Sequence, residues 1–319
     1  MPLDADAILD RRSLRRRLAF WRIGALVLVA AVIVVAALGL SGRTPGAPGQ
    51  RGPHIAKVAV SGVIFDDEKR TKLLTELAKS DAKGVLLLVD SPGGGVTASE
   101  DLYEEIRTIA KDRPVVAVVG TVAASGGYIA AIAADHIVAR KTSITGSIGV
   151  LAQFPNFTGL LKTVGVEVES IKSSPLKAAP NGVEPTTPEA RKAIEALILD
   201  SFDWFKGVVR DRRKLDGAAL AGVSDGRIFT GRQALDLKLI DEIGGEKEAL
   251  AWLGSKGVDT SLPVKDWKPR KGWFGEAGAA SVAAFGADAV GLHGIAEGLR
   301  RTGNTLVLDG VLALWHPSL

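Results

Sequence analysis

Cysteine is missing from all 319 residues. Its absence excludes disulfides, a thiolate nucleophile and any zinc site built on sulfur. Histidine is scarce as well: His54, His136, His293 and His316 are too scattered for a His-x-x-x-His metal pair. No metal and no cofactor is expected. Nucleotide signatures are also lacking, since Gly93-Gly94-Gly95 does not match Gly-x-Gly-x-x-Gly and no Gly-Lys-Ser/Thr follows it. The body has little net charge. Residues 1–22 hold six Arg and three Asp, which leaves 34 basic against 33 acidic side chains in 23–319. A basic excess confined to one end is not a nucleic-acid-binding face, so no nucleic-acid partner is expected. What remains is a chain that is 46 % hydrophobic and 24 % charged, the balance of a folded protein with a sizeable core.

Right after the Arg cluster, residues 23–40 run for eighteen positions without a charge. As a helix this stretch covers about 27 Å, close to the ~30 Å hydrocarbon thickness of a bilayer. Phe20 and Trp21 stand at its start, where aromatic rings favour the headgroup layer, and the flanking Arg predict that the N-terminus stays in the cytoplasm. A signal peptide has a shorter apolar region and a small-x-small cleavage site, so a retained transmembrane helix is the reading taken. The organisation expected is an Arg-rich cytoplasmic segment 1–22, a single-pass helix 23–40 and a Gly/Pro linker 41–53. A folded body over 54–257 and a C-terminal extension 258–319 follow. The topology expected is a single-pass anchor with its N-terminus in the cytoplasm and the body outside it.

From residue 55 the chain alternates short β-branched runs with amphipathic stretches. Strands are expected over 55–64 (with a turn at Ser61-Gly62), 84–89, 114–119, 136–139, 148–152 and 166–171. Helices are expected over 68–79, 99–110, 125–134, 158–164, 231–239 and 246–253. A long helix should run from the N-cap Thr187 to about Lys214. The Gly/Ala-rich 275–298 could form a small-residue helix. Alternation of this kind predicts an α/β fold built on βαβ crossovers and a mostly parallel sheet.

Two glycine-rich segments fall where buried strands lead into helices. Asp90-Ser91-Pro92-Gly93-Gly94-Gly95 offers backbone N–H groups that can converge on an anion, or simply a tight turn. Ala124-Ser125-Gly126-Gly127-Tyr128 lifts a serine out of the sheet beside helix-start amides that could hold an oxyanion, or makes Ser125 a plain N-cap. Succeeding parallel strands put both segments at one sheet edge, where ligands sit in open α/β sheets. A serine nucleophile needs a base. His136 should lie at the far end of the intervening helix, away from Ser125. A lysine held neutral by desolvation is the other option, with Lys172 and Lys177 both placed in a loop; spacing does not choose between them.

Four ordered segments resemble signal peptide peptidase A, a family of membrane-anchored serine peptidases in the ClpP/crotonase superfamily. They are Asp90–Gly94, Ala124–Tyr128, Thr145–Val150 and Gly226–Ala234, and the resemblance covers about residues 55–255. It implies a ClpP/crotonase-like fold of repeated ββα/βαβ units and a Ser-Lys dyad. In it Ser125 is the nucleophile, Lys177 the general base and Ser147 the hydroxyl that orients the lysine. Backbone N–H groups of Gly93, Gly94 and Gly126 would form the oxyanion hole. Departures are Ile129, where a second Tyr is common, and Ala178, where an acidic residue is common. The chain length is that of the short, single-copy form, so a homo-oligomer is implied, in which the lysine can come from a neighbouring protomer. The function expected is an endopeptidase of apolar peptides such as remnant signal peptides, working beside the lipid bilayer. The alternatives are a non-catalytic membrane scaffold and a crotonase-like acyl-CoA enzyme, the latter at odds with export. Beyond 257 the resemblance stops; Trp267, Trp273 and Trp315 are expected to dock on a neighbouring protomer or on the membrane.

Overall fold

Aliphatic and β-branched runs build a sheet with helices on both faces. The computed structural model describes residues 52–269 and the backbone of 312–314. Strand β1 (His54–Ile64) leads to helix α1 (Glu68–Ala78), whose N-cap Asp67 accepts from the Lys69 N–H. Strand β2 (Ala82–Gly95), helix α2 (Val96–Ala110), strand β3 (Val115–Ala124) and helix α3 (Gly126–Ile132) follow. Short strands β4 (His136–Ala139) and β5 (Ile144–Gly146) come next, then α4 (Thr158–Thr163) and the long α5 (Pro188–Arg213). The described body continues through α6 (Gly217–Val223), β6 (Ile228–Thr230), α7 (Gly231–Asp236), β7 (Glu242–Ile243), α8 (Glu246–Ser255) and β8 (Val264–Trp267). Near the C-terminus lies β9 (Leu312–Leu314).

The main path of the sheet runs β6-β5-β3-β2-β1-β8, with β4 beside the first half of β3, β7 beside β4, and β9 beside the end of β2. Pairs β1/β2, β2/β3, β3/β4, β3/β5, β4/β7 and β1/β8 are parallel; β5/β6 and β2/β9 are antiparallel. The expected mixed α/β fold with a mostly parallel sheet is thus observed. One face packs on α1, α2, α3 and α5 through Leu77, Leu102, Ile106, Tyr128 and Phe205. The other packs Leu86, Val116 and Val138 under Ala249 and Leu253 of α8. Burial on both faces is why β2 and β3 read as continuous apolar runs.

Several local expectations are corrected. The Ser61-Gly62 turn is an irregularity inside one continuous strand, where the β1/β2 register shifts between Ser61 and Val63. The glycine run 90–95 extends β2 rather than turning out of it, because its backbone keeps pairing with Val63 and Ile64. Neither 148–152 nor 166–171 forms a strand beyond an isolated bridge at Leu151. Val166 and Val168 stand 46 % and 44 % exposed, and β-branched residues without a partner strand gain nothing from extension. Trp267 does not project toward a neighbour or a membrane. It is 4 % exposed, stacks on His54 at 5.9 Å, and its indole N–H donates to His54 Nε2 at 3.1 Å. Since β8 lies along β1, the sheet extends past residue 257. Among the described residues no helix is long and apolar enough to cross a membrane. The expected helix 23–40, most of the linker, the 275–298 helix, Trp273 and Trp315 lie outside the described residues.

Candidate active site

Strand β3 ends at Ala124, and Ser125 takes φ 55°, ψ −120° before α3 begins. A β-carbon in that region costs about 1–3 kcal/mol of strain, and such outliers cluster at functional sites. The simple capping role does not explain it, because the Ser125 side chain makes no cap hydrogen bond. Its backbone is held instead. The Ser125 N–H donates to Gly146 O at 2.8 Å, and its carbonyl accepts from the Tyr128 and Ile129 N–H groups at 2.9 and 3.0 Å. Tyr128 is fully buried and its hydroxyl donates to Leu239 O at 2.7 Å, which fixes the start of α3; burial pushes that phenol far above its ordinary pKa.

The glycine end of β2 lies against this elbow. A Cβ on Gly126 would meet Ser99 Oγ at 2.3 Å, the Gly94 nitrogen at 3.2 Å and the Gly93 α-carbon at 3.3 Å. A Cβ on Gly94 would fall 1.9 Å from Ile64 O, so only glycine allows β2 to run this close to β1. The structure therefore brings Gly93, Gly94 and Gly126 together beside Ser125. Within the run the Gly93 N–H is engaged, donating to the buried Ser91 Oγ at 3.1 Å. Asp90 braces the junction by accepting from the Val122 N–H at 3.1 Å across a shift in the β2/β3 register.

Ser147 joins the same cluster. Parallel pairing of Ala124 with Gly146 puts Ser147 in step with Ser125. It too has a left-handed backbone, φ 51°, is 9 % exposed, and donates its N–H to Arg227 O at 2.8 Å.

The two lysines are distinguished by their partners. Lys172 Nζ is paired with the Glu184 carboxylate, which also accepts from Asn181 Nδ2 at 3.0 Å. That hydrogen bond from Lys172 holds the Glu184 carboxyl below its ordinary range. Lys177 is exposed in the turn before α5; its N–H donates to Ser174 O at 3.1 Å. Among the described residues its ammonium has no ion pair, and no hydrogen bond joins it to Ser125 or Ser147. Both lysines sit on an arm, residues 152–187, that carries unusual apolar exposure: Phe157 49 %, Leu160 61 %, Val164 62 % and Ile171 96 %.

His136 is excluded from the cluster by topology. It opens β4 opposite Val116, nine residues before Ser125 along β3, a separation of up to roughly 30 Å. There it stacks on Trp252 at 4.9 Å and contacts Glu242 at 3.1 Å. Among the described residues no group of three or more His, Asp or Glu could hold a metal ion.

Sequence reasoning missed Ser99. It is buried at the start of α2, donates from Oγ to Gly95 O at 2.8 Å, and touches the space beside Gly126. No motif marks it, since only the fold brings α2 against the elbow.

The family profile of peptidase family S49 matches residues 107–259, and that of Clp protease matches 62–145. A Synechocystis sp. protein named as a candidate protease is 37 % identical over 222 residues, covering 67 % of this chain and 80 % of the relative. A Methanocaldococcus jannaschii protein with the same kind of name is 36 % identical over 66 % of this chain and 71 % of its own length. An Enterococcus faecium protein named as a candidate signal peptide peptidase is 34 % identical over 69 % of this chain and 68 % of its own length.

Proposed function

This chain belongs to peptidase family S49 and is a serine-type peptidase, and we propose that Ser125 and Lys177 form its catalytic dyad. The observation that carries this reading is the strained, uncapped Ser125 set between Gly94 and Gly126 on one side and Ser147 on the other. Ser125 Oγ attacks the scissile carbonyl while the Lys177 amine accepts its proton and returns it to the leaving amine; water then cleaves the acyl-enzyme. The oxyanion sits between backbone N–H groups of Gly126 and Gly94. Gly94 is preferred to Gly93, whose N–H already serves Ser91. Ser147 orients the lysine.

The lysine reaches its serine from a second copy of the chain. The exposed, unpaired Lys177 and the apolar arm around it support this, because that surface needs a cover and a homo-oligomer supplies one. Substrates are apolar peptides, with signal peptides the leading class, in keeping with the name of the Enterococcus faecium relative and with residues 23–40. Those residues hold the protein in the inner membrane, and the peptidase body works outside the cytoplasm. Full-length protein in detergent should cleave an apolar signal-peptide substrate, and Ser125→Ala should lose that activity while keeping its circular dichroism. Retained cleavage in the variant removes Ser125 from the nucleophile role.

A further inference from the structure

Ser125 and Gly126 stand at the start of α3, and every residue of that helix is buried. The carbonyls at its other end have no partner inside the helix, and Ile132, Ala133 and Ala134 are at most 3 % exposed. Two arginines from other helices satisfy them. Arg212 of α5 donates from Nε to Ile132 O at 2.9 Å and from Nη2 to Ala134 O at 2.7 Å. Arg107 of α2 donates from Nη1 to Ala133 O at 2.7 Å. Asp135 joins the pair: it accepts from Arg107 at 2.9 Å and from the Val115 N–H at 3.1 Å, and lies 3.8 Å from Arg212.

Two guanidiniums against one carboxylate leave this end of α3 positive. The neighbouring charges do not cancel it. Arg213 is matched by Asp241 at 3.0 and 2.9 Å, Asp211 faces Arg210 at 3.0 Å, and Glu104 is exposed to solvent. Burial raises the Tyr103 phenol, which stays neutral. Neutral donors would satisfy the same carbonyls without crowding two cations. Burial, and then Arg107, pull Arg212 below the ordinary guanidinium range, so its charge is held against a penalty. The carbonyls held by the arginines lie about 10–12 Å along the helix from Gly126. At an effective dielectric of about 20, a unit charge at that distance changes the stability of an anion about tenfold. Side-chain exposure of 23 % and 26 % brings that toward about threefold through solvent screening. Resting on the reading of Ser125 as nucleophile, we propose that Arg107 and Arg212 are positioning residues for the oxyanion. From the far end of α3 they fix Ser125 and the Gly126 N–H and favour the negative charge that develops beside them. That charge is absent from bound substrate, so the effect belongs to kcat and not to KM.

Charge-changing variants of the full chain test this, read by peptide hydrolysis and by inhibition with a peptide boronate, which forms a tetrahedral anion on the serine oxygen. Arg107→Gln and Arg212→Gln should each lower kcat about three- to tenfold with KM within about twofold, and weaken boronate inhibition by the same factor. Arg107→Lys and Arg212→Lys keep the charge and should recover most of that loss. Asp135→Asn keeps an oxygen for the Val115 N–H but removes a negative charge. It should act in the opposite direction, tightening boronate about two- to threefold, where a clamp that serves the fold alone gives no change or a loss. Equal losses in the Lys and Gln variants, or losses carried by KM, overturn the proposal and leave the dyad standing. So does boronate affinity that is unchanged or weaker in Asp135→Asn, a result that decides alone if the Gln variants do not fold. A boronate that inhibits the unaltered chain without bonding to Ser125, read by mass spectrometry, fails the underlying assignment of the nucleophile instead.

Discussion

At the residue scale, the strained backbone of Ser125 and the two lysines carry most of the functional content. Lys172 is tied to Glu184 whereas Lys177 is not, so the two should respond differently to truncation. Lys177→Ala should lower kcat/KM by about a hundredfold to ten-thousandfold, the range for loss of a general base, and Lys172→Ala should leave kcat close to wild type. Steady-state hydrolysis of one peptide substrate by both variants decides it, and the reverse ranking would move the base to Lys172. Much of this site could be read in advance. Serine at a strand-to-helix junction is a local pattern and falls where expected, whereas the glycine run, expected as a turn, continues β2 because it keeps pairing with β1. What sequence spacing could not separate was Lys172 from Lys177, because the Lys172–Glu184 pairing spans a loop with no periodicity. Ser99 was invisible for a similar reason: its role comes from a contact with Gly126, which is distant along the chain.

At the scale of elements, the arm over 152–187 stands apart. The Lys172–Glu184 pair and Asn181 close it internally, and the Glu184 carboxyl is held low by that pairing. A carboxyl depressed in the folded state contributes order that is present above its unfolded pKa and lost as pH falls through the folded value. Limited proteolysis within 152–187 should therefore accelerate as pH drops below the ordinary glutamate range, and Glu184→Gln should be cut readily at neutral pH. Equal cutting of wild type and variant at pH 7 would show the pair has no such role. The arm's apolar surface makes a separate prediction. Ile171→Asp, at a position 96 % exposed, should leave thermal stability unchanged but reduce both oligomer mass by light scattering and peptidase activity together. An unchanged mass would mean that Ile171 lies outside any contact between copies. Strands expected at 148–152 and 166–171 fail here on physical grounds, since β-propensity is realised only by pairing. The very short β6 and β7 escaped notice because two or three residues carry no periodicity.

At the scale of the whole molecule, a parallel sheet flanked by helices fixes one end as the site and the other as structure. Its strand order follows from buried apolar runs, which is why the α/β class was legible and the partner of each strand was not. Residues beyond 257 were the least legible part, and Trp267 shows why. As an isolated amphipathic side chain it suits a surface, but pairing of β8 with β1 buries it against His54. Trp267→Ala should cost about 3 kcal/mol and lower Tm by roughly 6–12 °C without changing the rate at which Ser125 reacts. A Tm within a degree or so of wild type would argue that β8 contributes little to the sheet. The most direct test of the whole scheme is intact-protein and peptide mass spectrometry after reaction of the full-length chain with a fluorophosphonate. A single adduct on Ser125, slowed in Lys177→Ala and absent in Ser125→Ala, is the expected result. An adduct on a different residue, or one that forms equally fast without Lys177, would contradict it.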